Sequence, residues 1–102
     1  MFKLLKVSGD SLSPAFQEGD FVVIAKIPLF FNQPPRPGDV VVFNHPVFGT
    51  MIKLVEKINL EKDELFVVGT HQDSIDSRRF GPISARSVLG TVIWHIKRPR
   101  RT

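Results

Sequence analysis

The chain has no cysteine, no tyrosine and a single tryptophan among its 102 residues. Without thiols there are no disulfides, no cysteine nucleophile and no cysteine-ligated metal, although the compartment stays open because exported proteins also lack them. With tyrosine missing and Trp94 alone, stacking platforms for single-stranded nucleic acid are scarce. That counts against the nucleic-acid-binding β-barrel which a pI near 9.9 would otherwise suggest. No stretch approaches the ~18–20 apolar residues of a membrane span, and no charged-then-apolar leader precedes Ser11. The three histidines, His45, His71 and His95, stand far apart with no metal-ligand spacing, so neither a metal nor a cofactor is expected.

What is present is β-forming. Runs of branched and aromatic residues start at Val22, Asp39, Met51, Glu64 and Ser87, bounded by Gly, Pro, Asn and Asp. They predict an all-β fold, a small and mostly antiparallel coiled sheet or partial barrel, with helix limited to one short turn between Pro14 and Glu18. Asn59–Glu64 reads as a hairpin loop. The length suits one domain over residues 1–102, with a basic tail at 97–102 that accounts for the net charge of +4. The tail suits a solvated terminus, or attraction to anionic lipid or nucleic acid. The Pro-rich loop at 28–38, with Phe30 and Phe31 at its start, reads either as a cap on the core or as an exposed apolar contact.

Two segments carry candidate chemistry. Ser11 lies in S-G-D-S-L-S-P-A-F-Q-E-G-D at 8–20, a Gly- and Pro-punctuated turn, and Lys53 lies in M-I-K-L-V at 51–55. A hydroxyl needs a base within hydrogen-bond reach to act as a nucleophile. Strand alternation gives Lys53 apolar neighbours on both faces. Desolvation there would disfavour the ammonium, and lowering its pKa from about 10.4 to roughly 7–8 corresponds to about 3–4 kcal/mol. The plainer readings are a lysine whose head snorkels to water and a serine that merely caps a turn. His71 could in principle complete a Ser–His–Asp arrangement with Ser11 and Asp76.

Four segments, in order, resemble the boxes of type I signal peptidases. The first is similar to S-G-x-S-M-x-P-T-L-x-x-G-D, with Leu12 for the usual Met. R-P-G-D-V-V-V-F at 36–43 resembles R-x-G-D-I-V-V-F, and I-K-L-V at 52–55 resembles I-K-R-V with Leu54 for Arg. S-I-D-S-R-R-F-G-P-I at 74–83 is similar to S-x-D-S-R-x-x-G-x-V. The resemblance runs from about Val7 to Val92.

It implies Ser11 as nucleophile, its backbone N–H as oxyanion donor, Lys53 as general base and Ser74 as the hydroxyl that orients the lysine. Asp76 and Arg78 would form a supporting ion pair, for which the plainer reading is a solvated surface pair. Two departures stand out: Thr70 and His71 follow Gly69 where relatives often have G-D-N, and Gly9 lacks the side-chain donor that some relatives carry.

The expected function is a serine endopeptidase that removes an N-terminal leader or pro-segment from a precursor, with no nucleic-acid partner. The precursor would bind as an extended strand beside Val7–Asp10 and Thr50–Ile52, so that Gly9, Asp10, Leu12, Met51 and Ile52 contact it. With no anchor before Ser11, the chain is either a soluble, cytoplasmic relative, which is the expectation, or a piece that lacks its anchor, with peripheral membrane contact left open. It resembles the small peptidases that trim one specific precursor, such as the nickel-type superoxide dismutase maturation protease. The alternatives are a self-cleaving repressor-type domain, which shares the dyad and the G-D-S-M-x-P box, and the non-enzymatic nucleic-acid-binding barrel.

Overall fold

The computed structural model describes residues 2–7, 19–25, 35–70 and 74–97. Seven strands form one open sheet: β1 (Phe2–Lys6), β2 (Phe21–Ala25), β3 (Val40–His45), β4 (Gly49–Asn59), β5 (Glu64–Val68), β6 (Ile83–Ser84) and β7 (Val88–Ile96). Their order is β1-β2-β7-β3-β4-β5-β6, and each neighbouring pair is antiparallel. The all-β expectation holds.

Two differences from the sequence reading concern short elements. A helix, α1 (Ser77–Phe80), and a 3-10 turn at Ala85–Ser87 lie outside the stretch where helix was expected. Four residues cannot display a 3.6-residue period, and it is the Asp76 cap that makes the turn. The strands β1 and β6 are additional. The outer face of β1 is open, so F-K-L-L-K shows no contrast between a buried and a wet side.

The run V-V-V-F in β3 is buried at Val41, Val42 and Phe43 in succession, so this central strand is covered on both faces. Val41, Phe43, Val55, Leu65, Val67 and Ile83 form one core. A second gathers Val7, Val22, Ile24 and Val42. Bulges interrupt the ladders of β7 with β2 and with β3, and that of β4 with β5. Such extra residues bend and twist a sheet, and here apolar residues gather on both sides of it.

β7 and β2 approach closely at Gly90. A Cβ there would lie 2.8 Å from the Ala25 carbonyl oxygen and 3.1 Å from the Ile24 side chain. Only glycine fits without a shift of backbone.

At the β1 edge one face is apolar and exposed. Phe2, Leu4 and Lys6 oppose Ala25, Val23 and Phe21, which in turn bring in Trp94 and Ile96 from β7. Trp94 is 66% exposed, and Phe2, Leu4, Phe21 and Ile96 are exposed with it.

Candidate active site

Lys53 stands in the half of β4 that pairs with β3, directly opposite Val41, and Val41 in turn opposes Thr91 of β7. It is 2% exposed, and its neighbours two residues away on the same face are the half-buried Met51 and the buried Val55. The head of this lysine does not snorkel to water. Burial of this kind works against the ammonium form.

Pairing of β4 with β5 runs from Leu54, opposite Val68, to Asn59. The chain leaves β5 at Gly69 and returns through Ser74 into α1, held by two side chains. Ser77 Oγ accepts the N–H of Val67 at 2.9 Å. Asp76, wholly buried, accepts the N–H of Gly69 through Oδ2 at 2.8 Å and the N–H of Arg78 through Oδ1 at 3.0 Å. The Arg78 guanidinium closes on the same carboxylate, Nε at 3.0 and 3.1 Å and Nη2 at 2.6 Å. Burial alone would raise the Asp76 pKa. The hydrogen bonds from the Arg78 side chain, the Gly69 N–H and the Arg78 N–H outweigh it and hold the carboxyl below its ordinary range. The same pairing raises the pKa of Arg78.

Asp76, bonded to Arg78 and Gly69, ties α1 to the end of β5, where Val68 opposes Leu54, the residue after Lys53. Ser74 opens the arm that returns into α1. Its hydroxyl is buried and has no hydrogen-bond partner among the described residues, so no Ser74–Lys53 bond is formed here. An orphaned buried hydroxyl costs about 1–3 kcal/mol.

Residues 50–96 match the family model described as signal peptidase, peptidase S26. No curated protein matches the chain. The matched stretch takes in Lys53, Ser74, Asp76 and Arg78 and supports a signal-peptidase-like serine peptidase. It begins after the segment that carries Ser11.

Of the remaining sequence-derived candidates, Ser11, Gly9, Asp10, Leu12 and His71, like Phe30 and Phe31, lie outside the described residues. Met51 and Ile52 are half-buried in β4. His45 serves its own hairpin, its Nδ1 accepting the N–H groups of Val47 and Phe48. Among the described residues no group of three or more His, Cys, Asp or Glu could hold a metal ion.

One relationship had no signature in the sequence. His95 Nε2 lies 2.8 Å from Oδ2 of Asp20, a carboxylate with no exposure at all. Seventy-five residues separate the two, and only the antiparallel register of β2 with β7 brings them together.

Proposed function

We propose that the chain is a serine endopeptidase in which Lys53 is the general base for Ser11. The observation that carries the reading is the burial of Lys53 on an apolar strand. An amine held dry is easier to keep neutral, and only the neutral amine can take the serine proton.

The Ser11 hydroxyl oxygen attacks the scissile carbonyl carbon as its proton passes to Lys53 Nζ, and the backbone N–H of Ser11 faces the oxyanion. The ammonium then returns the proton to the departing amine, so the C–N bond breaks and an acyl-enzyme remains. A water molecule, deprotonated by Lys53, hydrolyses the ester. Ser74 would orient the amine, the role to which its unpaired hydroxyl is suited. Asp76 and Arg78 would hold the loop on which Ser74 stands.

The substrate would be a precursor's N-terminal leader or pro-segment, extended beside Val7–Asp10 and Thr50–Ile52. Small side chains would enter shallow apolar pockets bordered by Leu12 and Met51. A nickel-type superoxide dismutase precursor is one such substrate. Residues 1–102 would act as a single catalytic domain.

The test is cleavage of an Ala-x-Ala precursor peptide by wild type, Ser11→Ala and Lys53→Ala. Both variants should be inactive while keeping the β-sheet circular dichroism signal. Turnover by Lys53→Ala would remove lysine as the base and point to His71.

Peripheral contact with a membrane belongs to the same proposal. The outer face bearing Phe2, Leu4, Phe21 and Trp94 is exposed and apolar, with Lys6 on it. Apolar patches of this kind mark contact surfaces.

A further inference from the structure

We propose that His95 is a positioning residue for Ser11, a role that rests on the Ser11–Lys53 reading above. The segment carrying Ser11 lies in the sequence between Val7 and Gly19. Its two ends are closed by a pair of backbone bonds, Val7 N–H to Asp20 carbonyl at 2.7 Å and Gly19 N–H to Val7 carbonyl at 2.9 Å. Asp20 is therefore the foot of that segment. Its side chain points inward, and an ionised carboxylate taken out of water costs several kcal/mol unless it is bonded.

His95 supplies one such bond from the last strand. It stands opposite Val22 in the β2–β7 ladder, and Val22 lies on the same face as Asp20, two residues earlier. With Asp20 ionised its carboxylate only accepts, and Nε2 is then the donor of a charge-assisted bond. Val7 and Val22 pack together in the second core alongside this contact.

The consequence is a mechanical link. β7 also pairs with β3 at Val41, and Val41 opposes Lys53. The foot of the Ser11 segment and the strand of Lys53 are thus both referred to β7, one through His95 and the other through Thr91. Losing the first tie should let Ser11 drift relative to Lys53. A displacement of about 1 Å can cost about 10² in rate.

The experiment uses the full chain and an Ala-x-Ala precursor peptide. His95→Leu should lower kcat by about 10²-fold with KM close to wild type. His95→Gln, whose amide can still donate to Asp20, should recover most of that loss. Hydrogen exchange at the Val7 and Gly19 amides should accelerate in His95→Leu and return toward wild type in His95→Gln. Where His95→Leu does not fold, Asp20→Ala, which removes the acceptor outright, takes its place and should show the same selective loss of kcat.

Full kcat in a folded His95→Leu, or a Gln variant as impaired as the Leu one, overturns the proposal and leaves the Ser11–Lys53 reading intact. A wild type that neither cleaves the peptide nor is acylated at Ser11 by a fluorophosphonate removes that reading, and this proposal with it.

Discussion

The buried carboxylate of Asp76 and the half-exposed guanidinium of Arg78 close a ring two residues wide, in which Asp76 also caps α1. The ring fixes the loop that carries Ser74, and its strength depends on the charge of Asp76.

Stability should therefore respond to acid in a definite direction. The folded carboxyl titrates below its ordinary range, so its contribution is complete above the unfolded value, about 3.9, and is lost as pH falls through the lower folded value. Asp76→Ala, which strips the acceptor from the Gly69 and Arg78 N–H groups, should cost about 1–3 kcal/mol at pH 7. Urea unfolding at pH 7 and pH 3 should show the gap between wild type and variant closing in acid. A gap that stays constant would separate the ring from the charge.

Gly90→Ala tests the approach of β7 to β2. The added methyl would meet the Ala25 carbonyl oxygen at 2.8 Å, a backbone atom that cannot swing away. Overpacking of this kind costs about 1–3 kcal/mol, read as a lower urea midpoint with unchanged slope.

Lys53 separates chemistry from packing. Lys53→Met keeps the length and removes the amine, and buried charged groups replaced by apolar ones of similar volume are often neutral or stabilising. Lys53→Ala leaves a cavity and should cost about 2–5 kcal/mol. Both should be inactive on peptide. Activity in the Met variant would show that the amine is not the base.

The pH profile identifies the base independently. kcat/KM should rise with pH along a limb above about 6.5, the ordinary imidazole value, because protonated Lys53 cannot accept the Ser11 proton. His71→Ala should leave the limb where it is. A limb near that value which vanishes in His71→Ala would reassign the base.

The exposed face near β1 can be read through the only tryptophan. Trp94 should fluoresce as a water-exposed indole, and Trp94→Ser should change stability by no more than about 0.5 kcal/mol. With anionic vesicles the emission should shift to the blue, and Leu4→Ser should weaken that shift. Unchanged emission would take this face out of membrane contact.

The long strands were legible because Val, Ile and Phe cluster between turn residues, and the core strand at Val40–His45 even reads as an unbroken apolar run. The turn at Leu60–Asp63 was legible too, and in it Asp63 takes a left-handed conformation at φ 55°. For Lys53 the sequence left two readings, and an exposure of only 2% goes with the dry one. Asp20 and His95 were illegible. Nothing local to E-G-D or W-H-I encodes a partner 75 residues away, and the pair exists because the last strand inserts beside β2. The four-residue helix escaped notice for the opposite reason, being too local to leave a period.

That insertion also decides which parts of the sheet depend on one strand for their connection. β7, the last of the described strands, lies between β2 and β3, so the pair β1–β2 and the β3–β6 meander share backbone ladders only with it and not with each other, although Val42 packs against Val22 and Ile24. Without residues 88–96, the described strands β1–β2 and the β3–β4 pair that carries Lys53 have no common neighbour in the sheet. A chain shortened before Val88 should keep the β3–β6 ladders and lose those that tie β2 to the rest, leaving β1–β2 held by side-chain packing alone.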